Sequence, residues 1–177
     1  MNYAKESARE KGLNISYLCQ DYLQLAEENA YDLVIMIFTD FGVLTSEQRS
    51  ILLHNIQRAL KSGGVFLFDV LNSTHTLEEP AATGWELAEK GFWRSGPYLA
   101  LQTSFFYPEQ QINLTQHLII DETEKIEVYR FWMHTFSASD LAQLMTASGF
   151  CSACYEKILP DSELYSSNSV TFCIARK

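Results

Sequence analysis

Three short groups of acidic, polar and aromatic residues each follow an apolar segment of the chain. They are Asp21-Tyr22, the run from Phe38 to Phe41, and the run from Asp69 to Ser73. Ligand pockets combine aromatic rings with a few polar or charged groups of this kind. In an open parallel sheet, ligands bind outside the carboxyl ends of the strands. We therefore expect the three groups to meet at one ligand-binding edge of a sheet.

The apolar segments that precede these groups have the length and composition of strands. NISYLC at 14–19 predicts a short strand, and the uncharged run 33–38 predicts a strand that helices cover on both faces. A helix over 46–61 and a second apolar strand at 65–71 follow. Strand, helix and strand in this order predict a crossover unit with parallel pairing.

The second half of the chain predicts antiparallel structure. Residues 73–96 predict a loop with a short helix. Segments rich in aromatic and β-branched residues at 98–107, 112–120 and 125–136 are separated by turns and predict a meander. A helix begun by Ser137 and two closing strands complete the chain, so the fold class is α/β with an antiparallel insert. We expect one domain over 1–177, with 72–136 as its insert.

Composition excludes several classes of function. The 177 residues carry 13 basic and 22 acidic side chains, a formal net charge of -9, which argues against nucleic acid or an anionic membrane as the main partner. No apolar stretch approaches the roughly 20 residues of a membrane-spanning helix. The N-terminal residues MNYAKESAREKG do not resemble a secretion signal, so we expect a cytoplasmic protein.

Cysteine and serine chemistry find little support. Cys151 and Cys154 form a C-x-x-C pair, but no second pair accompanies it and it begins a strand rather than a helix. We interpret these cysteines as structural and predict no metal site. The sequence contains no G-x-S-x-G, so a serine nucleophile of that type is absent from it.

The central segment YDLVIMIFTDFGVLTSEQRSILLHNIQRALKSGGVFLFDV resembles class I S-adenosylmethionine-dependent methyltransferases. That family has a strand beginning with Asp, a helix ending in Leu-Lys-Pro-Gly-Gly, and an apolar strand after it; Ser62 stands here in place of the proline. NISYLCQDYLQL resembles the family's preceding strand, and Gly149-Phe150 also matches. The resemblance extends over nearly the whole chain and implies a Rossmann-like methyltransferase sheet.

The resemblance implies a cofactor, a reaction and a set of residues. The cofactor is S-adenosylmethionine, whose methyl group passes to a small-molecule acceptor. Asp21 and Tyr22 are expected at the adenine, and Phe38, Thr39 and Asp40 beside the methionine portion. The catalytic residues are unknown, with Asp40 and His134 as candidates. Positioning and exclusion of water carry most of the catalysis in such a reaction, and a base can assist it.

The insert is expected to bind the acceptor, because the family places its substrate-binding insert in this region. Phe41, Trp93, Arg130, Trp132 and His134 are the candidate acceptor-binding residues. In a strand with alternating side chains, Arg130, Trp132 and His134 share one face. One interpretation is a lid over the acceptor; the other is a sheet with one face packed on the domain and the other in water.

One departure from the family separates two functional hypotheses. The eight glycines include no G-x-G, so the family's glycine-rich cofactor loop is not found in this sequence. By comparison with the family, we expect that the acid after this loop and about one β-α-β unit are absent from this chain. The strand at 31–38 then has an open edge. Strand 14–19 can pair there, a second copy can, or an N-terminal fragment can complete the fold. The alternative function is a truncated, non-catalytic remnant or subunit that associates through this edge.

Overall fold

The computed structural model describes residues 2–73, 83–155 and 169–177. The helices are α1 (Asn2–Glu10), α2 (Asp40–Val43), α3 (Ser46–Ala59) and α4 (Ala138–Ala147), with a 3-10 turn at Tyr22–Gln24. The strands are β1 (Tyr31–Met36), β2 (Leu60–Asn72), β3 (Thr83–Ala88), β4 (Tyr98–Tyr107), β5 (Ile112–Asp121), β6 (Ile126–Phe136), β7 (Cys151–Tyr155) and β8 (Val170–Arg176).

Strand β2 is the centre of the described sheet. It pairs in parallel with β1 along its first half and antiparallel with β8, which in turn pairs with β7. Its last two residues also pair in parallel with the end of β6. Strands β3, β4, β5 and β6 form an antiparallel meander that joins the central sheet through this contact. The predicted α/β class, the crossover and the antiparallel insert before the last helix are confirmed.

Helices α3 and α4 begin at capping boxes. Thr45 and Gln48 exchange side-chain-to-backbone hydrogen bonds at the start of α3, and Ser137 and Asp140 do so at the start of α4. Each exchange satisfies backbone N–H groups that the first helical turn leaves without partners. Gly149 follows α4 with φ +82°, a conformation that glycine adopts without strain. The predicted helix starts and the stop at Gly149 are confirmed.

The main core lies on one face of the central sheet. Phe66, Phe68 and Val70 alternate along β2 and are completely buried against α2, α3 and α4. Leu52, Leu53 and Ile56 supply the matching face of α3, and Leu141 and Met145 that of α4. Burying side chains of this size contributes about 1.5–3 kcal/mol each, so this layer is the main source of stability.

The predicted strand at 14–19 is wrong. These residues form no strand, and all but Tyr17 are exposed. A strand persists only where a neighbour satisfies its N–H and C=O groups, and no described strand lies beside this segment. The Tyr17 hydroxyl instead donates to the carbonyl of Ala4 in α1, at 3.1 Å. Pairing of 14–19 with the open edge of β1 is therefore excluded as well.

Strand β1 is covered on one face only, contrary to the prediction that helices cover both. Val34 and Met36 pack against the core, whereas Leu33 and Ile35 on the opposite face are 50% and 54% exposed. Among the described strands, β1 pairs with β2 alone. Its second edge and one of its faces are therefore open to further contacts.

The segment predicted as a loop with a short helix contains strand β3. Thr83–Ala88 pairs antiparallel with β4, so the insert has four strands where the sequence predicted three. Residues 74–82 of the segment predicted as a loop with a short helix lie outside the described part of the chain. β3 is short and contains a glycine and an acidic residue, which weakens its strand pattern.

Candidate functional site

The turn after β1 has an unusual backbone. Phe38 and Thr39 have φ values of 69° and 59°, in the left-handed region that side chains with a Cβ rarely adopt. The conformation is uncommon above all for Thr39, which is β-branched. The Asp69 Oδ1 atom holds it by accepting a hydrogen bond from the Thr39 backbone N–H at 2.9 Å. Backbone held in a sparsely populated conformation concentrates at functional sites.

The groups that follow the first two apolar segments meet at this turn. Burial raises the pKa of the Tyr22 hydroxyl, and the nearby negative charges of Asp40 and Asp21 raise it further. Each effect of charge requires that the groups lie close together. Asp21 is fixed by accepting a hydrogen bond from the Leu23 N–H at 2.9 Å. The Tyr22 phenol therefore lies near the Asp21 and Asp40 carboxylates.

The turn presents both an aromatic and an acidic group to solvent. Phe38 is 81% exposed, and Asp40 is exposed at the start of α2. An exposed ring offers a stacking surface, and carboxylates attract a cation. The edge therefore has the chemistry to hold a ligand that carries a planar ring and a positive charge.

His134, at the end of β6, also reaches α2. Its Nδ1 atom lies 3.1 Å from the carbonyl oxygen of Gly42, and as an N–H it donates to that oxygen. Burial lowers the pKa of His134, and the positive charge of Arg49 lowers it further. The imidazole is therefore neutral near pH 7. With Nδ1 protonated, Nε2 is the acceptor atom of the ring.

Helix α2 packs tightly on β6 because Gly42 has no side chain. A Cβ at this position would lie 2.7 Å from Met133 Sδ and 2.9 Å from the His134 carbonyl oxygen. Both distances are shorter than ordinary contacts, so only glycine allows this approach. The contact fixes the turn after β1 relative to the insert.

Arg49 is a buried cation that the sequence analysis missed. Its guanidinium donates to the Leu44 carbonyl and, at 3.2 Å, to Ser46 Oγ. It also lies 5.2 Å from the centre of the Phe136 ring, a cation–π distance. Arg49 shares the buried face of α3 with Leu52, Leu53 and Ile56. This helical spacing in the sequence could have predicted that Arg49 is buried.

Phe41 does not line the site, contrary to the prediction. Its side chain is completely buried, with ring centres 4.5 Å from Phe68 and 5.8 Å from Phe136. It anchors α2 in the core. Of the remaining candidates at the turn, Phe38 and Asp40 are exposed and Thr39 is partly buried.

The structure separates the predicted acceptor-binding residues of the insert. Trp93 packs on one face of the meander, with ring centres 4.8 Å from His117 and 5.0 Å from Tyr129. Arg130 and Trp132 lie on the opposite face by strand alternation. Trp93 and Trp132 therefore cannot line one pocket, because a sheet stands between them.

The two faces of the insert differ in their contacts. On the first face, Arg94 donates to the Glu127 carboxylate and contacts the Tyr129 hydroxyl at 3.3 Å. Hydrogen bonds from Lys125, Tyr129 and Arg94 hold the pKa of Glu127 at about 2. On the second face, Arg130 Nε donates to Gln116 Oε1 at 2.8 Å. In the described part of the chain, the segment that precedes β4 packs on the first face through Trp93.

The described residues offer little support for a metal, membrane-spanning or cysteine site. No group of three or more His, Cys, Asp or Glu side chains suitable for a metal occurs among the described residues. No helix in the described part of the chain is long and apolar enough to span a membrane. Cys151 and Cys154 are free thiols, and burial raises the pKa of Cys154.

Comparisons with known proteins point to one family. Residues 1–64 match the family model of a methyltransferase domain. A search of curated proteins finds no match. The matched segment ends within β2, so it contains the turn after β1 and the 3-10 turn with Asp21 and Tyr22.

Solved structures extend the similarity to the whole chain. An S-adenosylmethionine-dependent methyltransferase from Clostridium acetobutylicum has a TM-score of 0.68 and 14% identity, covering 99% of this chain and 70% of its own. The CcbJ methyltransferase from Streptomyces caelestis has a TM-score of 0.64 and 15% identity, covering 89% and 61%. The sugar N-methyltransferase KedS8 from Streptoalloteichus has a TM-score of 0.63 and 16% identity, covering 98% and 68%.

These comparisons confirm the resemblance to S-adenosylmethionine-dependent methyltransferases. The fold is theirs, including the antiparallel insert, and the chain resembles an enzyme of this class. The chain spans between 61% and 70% of the length of the three structures.

Proposed function

We propose that this chain binds S-adenosylmethionine at the turn after β1 and serves in methyl transfer to a small-molecule acceptor. The observation that carries the proposal is the left-handed Phe38-Thr39 turn, held by Asp69 at the carboxyl end of a parallel strand. Such an edge is where open parallel sheets bind ligands. The methyltransferase-domain match over residues 1–64, which includes this turn, supports the choice of ligand.

The residues at the turn fit two parts of the cofactor. Tyr22 and Asp21 offer a ring and a carboxylate for the adenine. Phe38, Thr39 and Asp40 lie at the position proposed for the methionine portion, where the Asp40 carboxylate stabilises a positive charge. When bound, the cofactor supplies an electrophilic methyl group on a sulfonium. The protein contributes by orienting this group and excluding water.

His134 is the candidate base for the acceptor. An amine or hydroxyl acceptor must lose a proton, and a neutral imidazole beside α2 can take it. Nδ1 donates to the Gly42 carbonyl, which orients the ring and leaves Nε2 to accept the proton. The lowered pKa of His134 keeps the imidazole unprotonated at neutral pH, as this role requires.

The acceptor is proposed to be a small molecule in the cytoplasm. KedS8 is a sugar N-methyltransferase, and another solved structure with this fold contains bound 1,6-didemethyltoxoflavin. A net charge of -9 disfavours nucleic acid. Of the predicted acceptor-binding residues, His134 keeps this proposed role, because Trp93 covers the opposite face of the insert.

Cofactor affinity is expected to be weak in the 177-residue chain. Its sequence contains no G-x-G, so groups for the ribose and the amino-acid end are not identified in it. Each missing hydrogen bond costs about 1 kcal/mol, and more if charged. Several together weaken binding by roughly two to four orders of magnitude.

A second candidate function is that of a non-catalytic subunit. The observation in its favour is the open edge of β1, where Leu33 and Ile35 are half exposed and β2 is the one described partner. An added strand, from a second copy or an N-terminal fragment, would pair there. In this case the methyltransferase fold would provide an interface rather than a reaction.

Isothermal titration with S-adenosylmethionine and S-adenosylhomocysteine separates the two candidates. The proposed function predicts saturable binding that Asp40→Ala and Tyr22→Ala each weaken. His54→Gln is the control, because His54 is exposed on α3 and carries no proposed role. Absence of binding up to millimolar ligand, in a folded chain, would refute the cofactor proposal and favour the subunit.

A further inference from the structure

The two faces of the four-stranded insert are unequal in a way that methyl transfer does not explain. On one face, Tyr98, Ala100 and Ile119 are buried beneath Trp93. On the other face Leu114 is also buried, but Trp85 and Leu87 on β3 are 74% and 73% exposed. Residues this apolar are seldom left in water as a group.

The exposed residues form one continuous surface, because strand pairing aligns them in rows. One row crosses all four strands: Trp85 on β3 pairs with Leu101 on β4, which pairs with Leu118 on β5, which pairs with Val128 on β6. A second apolar row contains Phe105 and Trp132. We define the apolar meander face as Trp85, Leu87, Leu101, Phe105, Val128 and Trp132; the four on β4 and β6 are between 39% and 47% exposed.

The acidic side chains of the insert's strands avoid this face. The strands β3 to β6 contain three acidic residues, Glu86, Asp121 and Glu127. Each of them pairs with a residue of the covered face, namely Ala100, Tyr98 and Ile119. The apolar meander face therefore carries no carboxylate from its strands, in a chain whose net charge is -9.

A polar row crosses the middle of the face. Thr83, Thr103, Gln116 and Arg130 lie opposite one another across the four strands, between the two apolar rows. Rotation of a second copy about a two-fold axis through the centre of this row brings polar row onto polar row and apolar row onto apolar row. Arg130 at one edge then meets the Thr83 edge of the partner rather than the other arginine.

The area suits a stable dimer. A fully exposed side chain of this size presents about 200 Å². The six residues then present roughly 640 Å² on each copy, above what an ordinary monomer exposes in one patch. If the six residues become fully buried on both copies, they contribute about 1,300 Å² in total, the lower end of specific interfaces. Two antiparallel sheets also pack readily face to face, about 10 Å apart.

We propose that the apolar meander face is the interface of a homodimer, in which the inserts of two copies pack sheet on sheet around a two-fold axis. The self-complementary rows identify a second copy as the occupant. A lipid surface fits poorly, because anionic membranes attract clustered Lys and Arg and this face carries Arg130 alone among its aligned rows.

Sedimentation equilibrium of the 20.2 kDa chain tests the proposal. The expected mass is that of a dimer at about 10–100 µM, a range in which standard-size interfaces associate. Leu87→Glu on β3 and Val128→Glu on β6 each introduce a carboxylate into the interface and should weaken association at least roughly 100-fold. Leu33→Glu is the matched control, since Leu33 is 50% exposed on β1, outside the insert, and should leave the dimer intact.

Tryptophan emission gives a readout that needs no variant. Trp85 and Trp132 enter the interface, so their emission should shift to longer wavelength as the protein is diluted and the dimer dissociates. A wild-type protein that is monomeric at 100 µM overturns the proposal. If this monomer also floats with phosphatidylcholine vesicles in a density gradient, the face binds a lipid surface instead. A dimer that Leu33→Glu dissociates and Leu87→Glu does not places the interface at the β1 edge and also overturns it.

Discussion

Replacing Gly42 by alanine tests the contact that fixes the candidate site against the insert. The added Cβ would lie 2.7 Å from Met133 Sδ and 2.9 Å from the His134 carbonyl oxygen. The methionine end can move aside, but the carbonyl belongs to β6 and cannot move without distorting the strand. Overpacking of this kind costs about 1–3 kcal/mol.

Two effects of opposite sign compete at this position. Alanine is favoured over glycine within a helix by about 1 kcal/mol, which offsets part of the steric cost. Gly42 lies in a helix of four residues, so this gain is at the low end. The net expectation is a loss of about 1–2 kcal/mol, which lowers the Tm by roughly 2–8 °C in a domain of this size.

Urea unfolding of Gly42→Ala and Gly84→Ala provides the assay. Gly84 is the matched control, because a Cβ added there meets nothing within 4 Å and φ is not in the left-handed region. Gly84→Ala should leave stability unchanged or raise it by about 0.5 kcal/mol. If Gly42→Ala is as stable as the wild type, α2 does not rest on β6 and the placement of His134 beside the turn is wrong.

Two further predictions concern Asp69 and His134. Asp69→Ala removes the acceptor for the Thr39 N–H. It should cost about 1–2 kcal/mol of stability and weaken S-adenosylhomocysteine binding roughly tenfold. Asp69→Asn keeps an acceptor and should restore most of both, and equal behaviour of the two variants would show that this hydrogen bond does not hold the turn. Burial lowers the pKa of folded His134 below its ordinary 6.5, so the unfolded chain binds this proton more readily and stability should fall as the pH drops through about 6.5. In His134→Gln this contribution disappears, and the difference between urea midpoints at pH 7.5 and pH 5.5 should shrink; an unchanged difference would show that His134 is not held neutral by the fold.

Local patterns predicted much of the fold because they are strong where the chain is regular. The meander segments are long, β-branched and aromatic, and separated by turns, and β4, β5 and β6 form close to their predicted bounds. The capping residues Thr45 and Ser137 start their helices as predicted, since a cap acts within one turn. The strand order of β1, α3 and β2 followed from the crossover rule.

The failures concern features that depend on distant parts of the chain. NISYLC at 14–19 has the composition of a strand, but no described strand lies beside it. The apolar run of β1 predicted burial on both faces. In the structure, α3 and its neighbours in the core cover one face. Periodicity reports what a segment prefers, and it carries no information about whether another element is present to cover it.

The sequence predicted a ligand site at the carboxyl end of β1, and binding there stays a prediction. The carboxyl-end rule placed Tyr22 near Asp40, and the raised pKa of Tyr22 shows that the two groups are close, although the strand predicted before Tyr22 does not form. It could not show that Phe41 turns inward, because alternation is lost where β1 ends and α2 begins. It also could not show which face of the insert Trp93 covers, since that depends on how the segment before β4 folds back.

The central claim is that S-adenosylmethionine binds at the turn after β1, and an NMR titration of the ¹⁵N-labelled chain with S-adenosylhomocysteine tests it most directly. The account predicts saturable shifts, with a Kd of roughly 0.1–1 mM. The shifts should be concentrated at Tyr22 and at Phe38, Thr39 and Asp40, while the α4 amides stay in place. Shifts confined to the insert, or none at 5 mM ligand in a folded chain, would contradict the account.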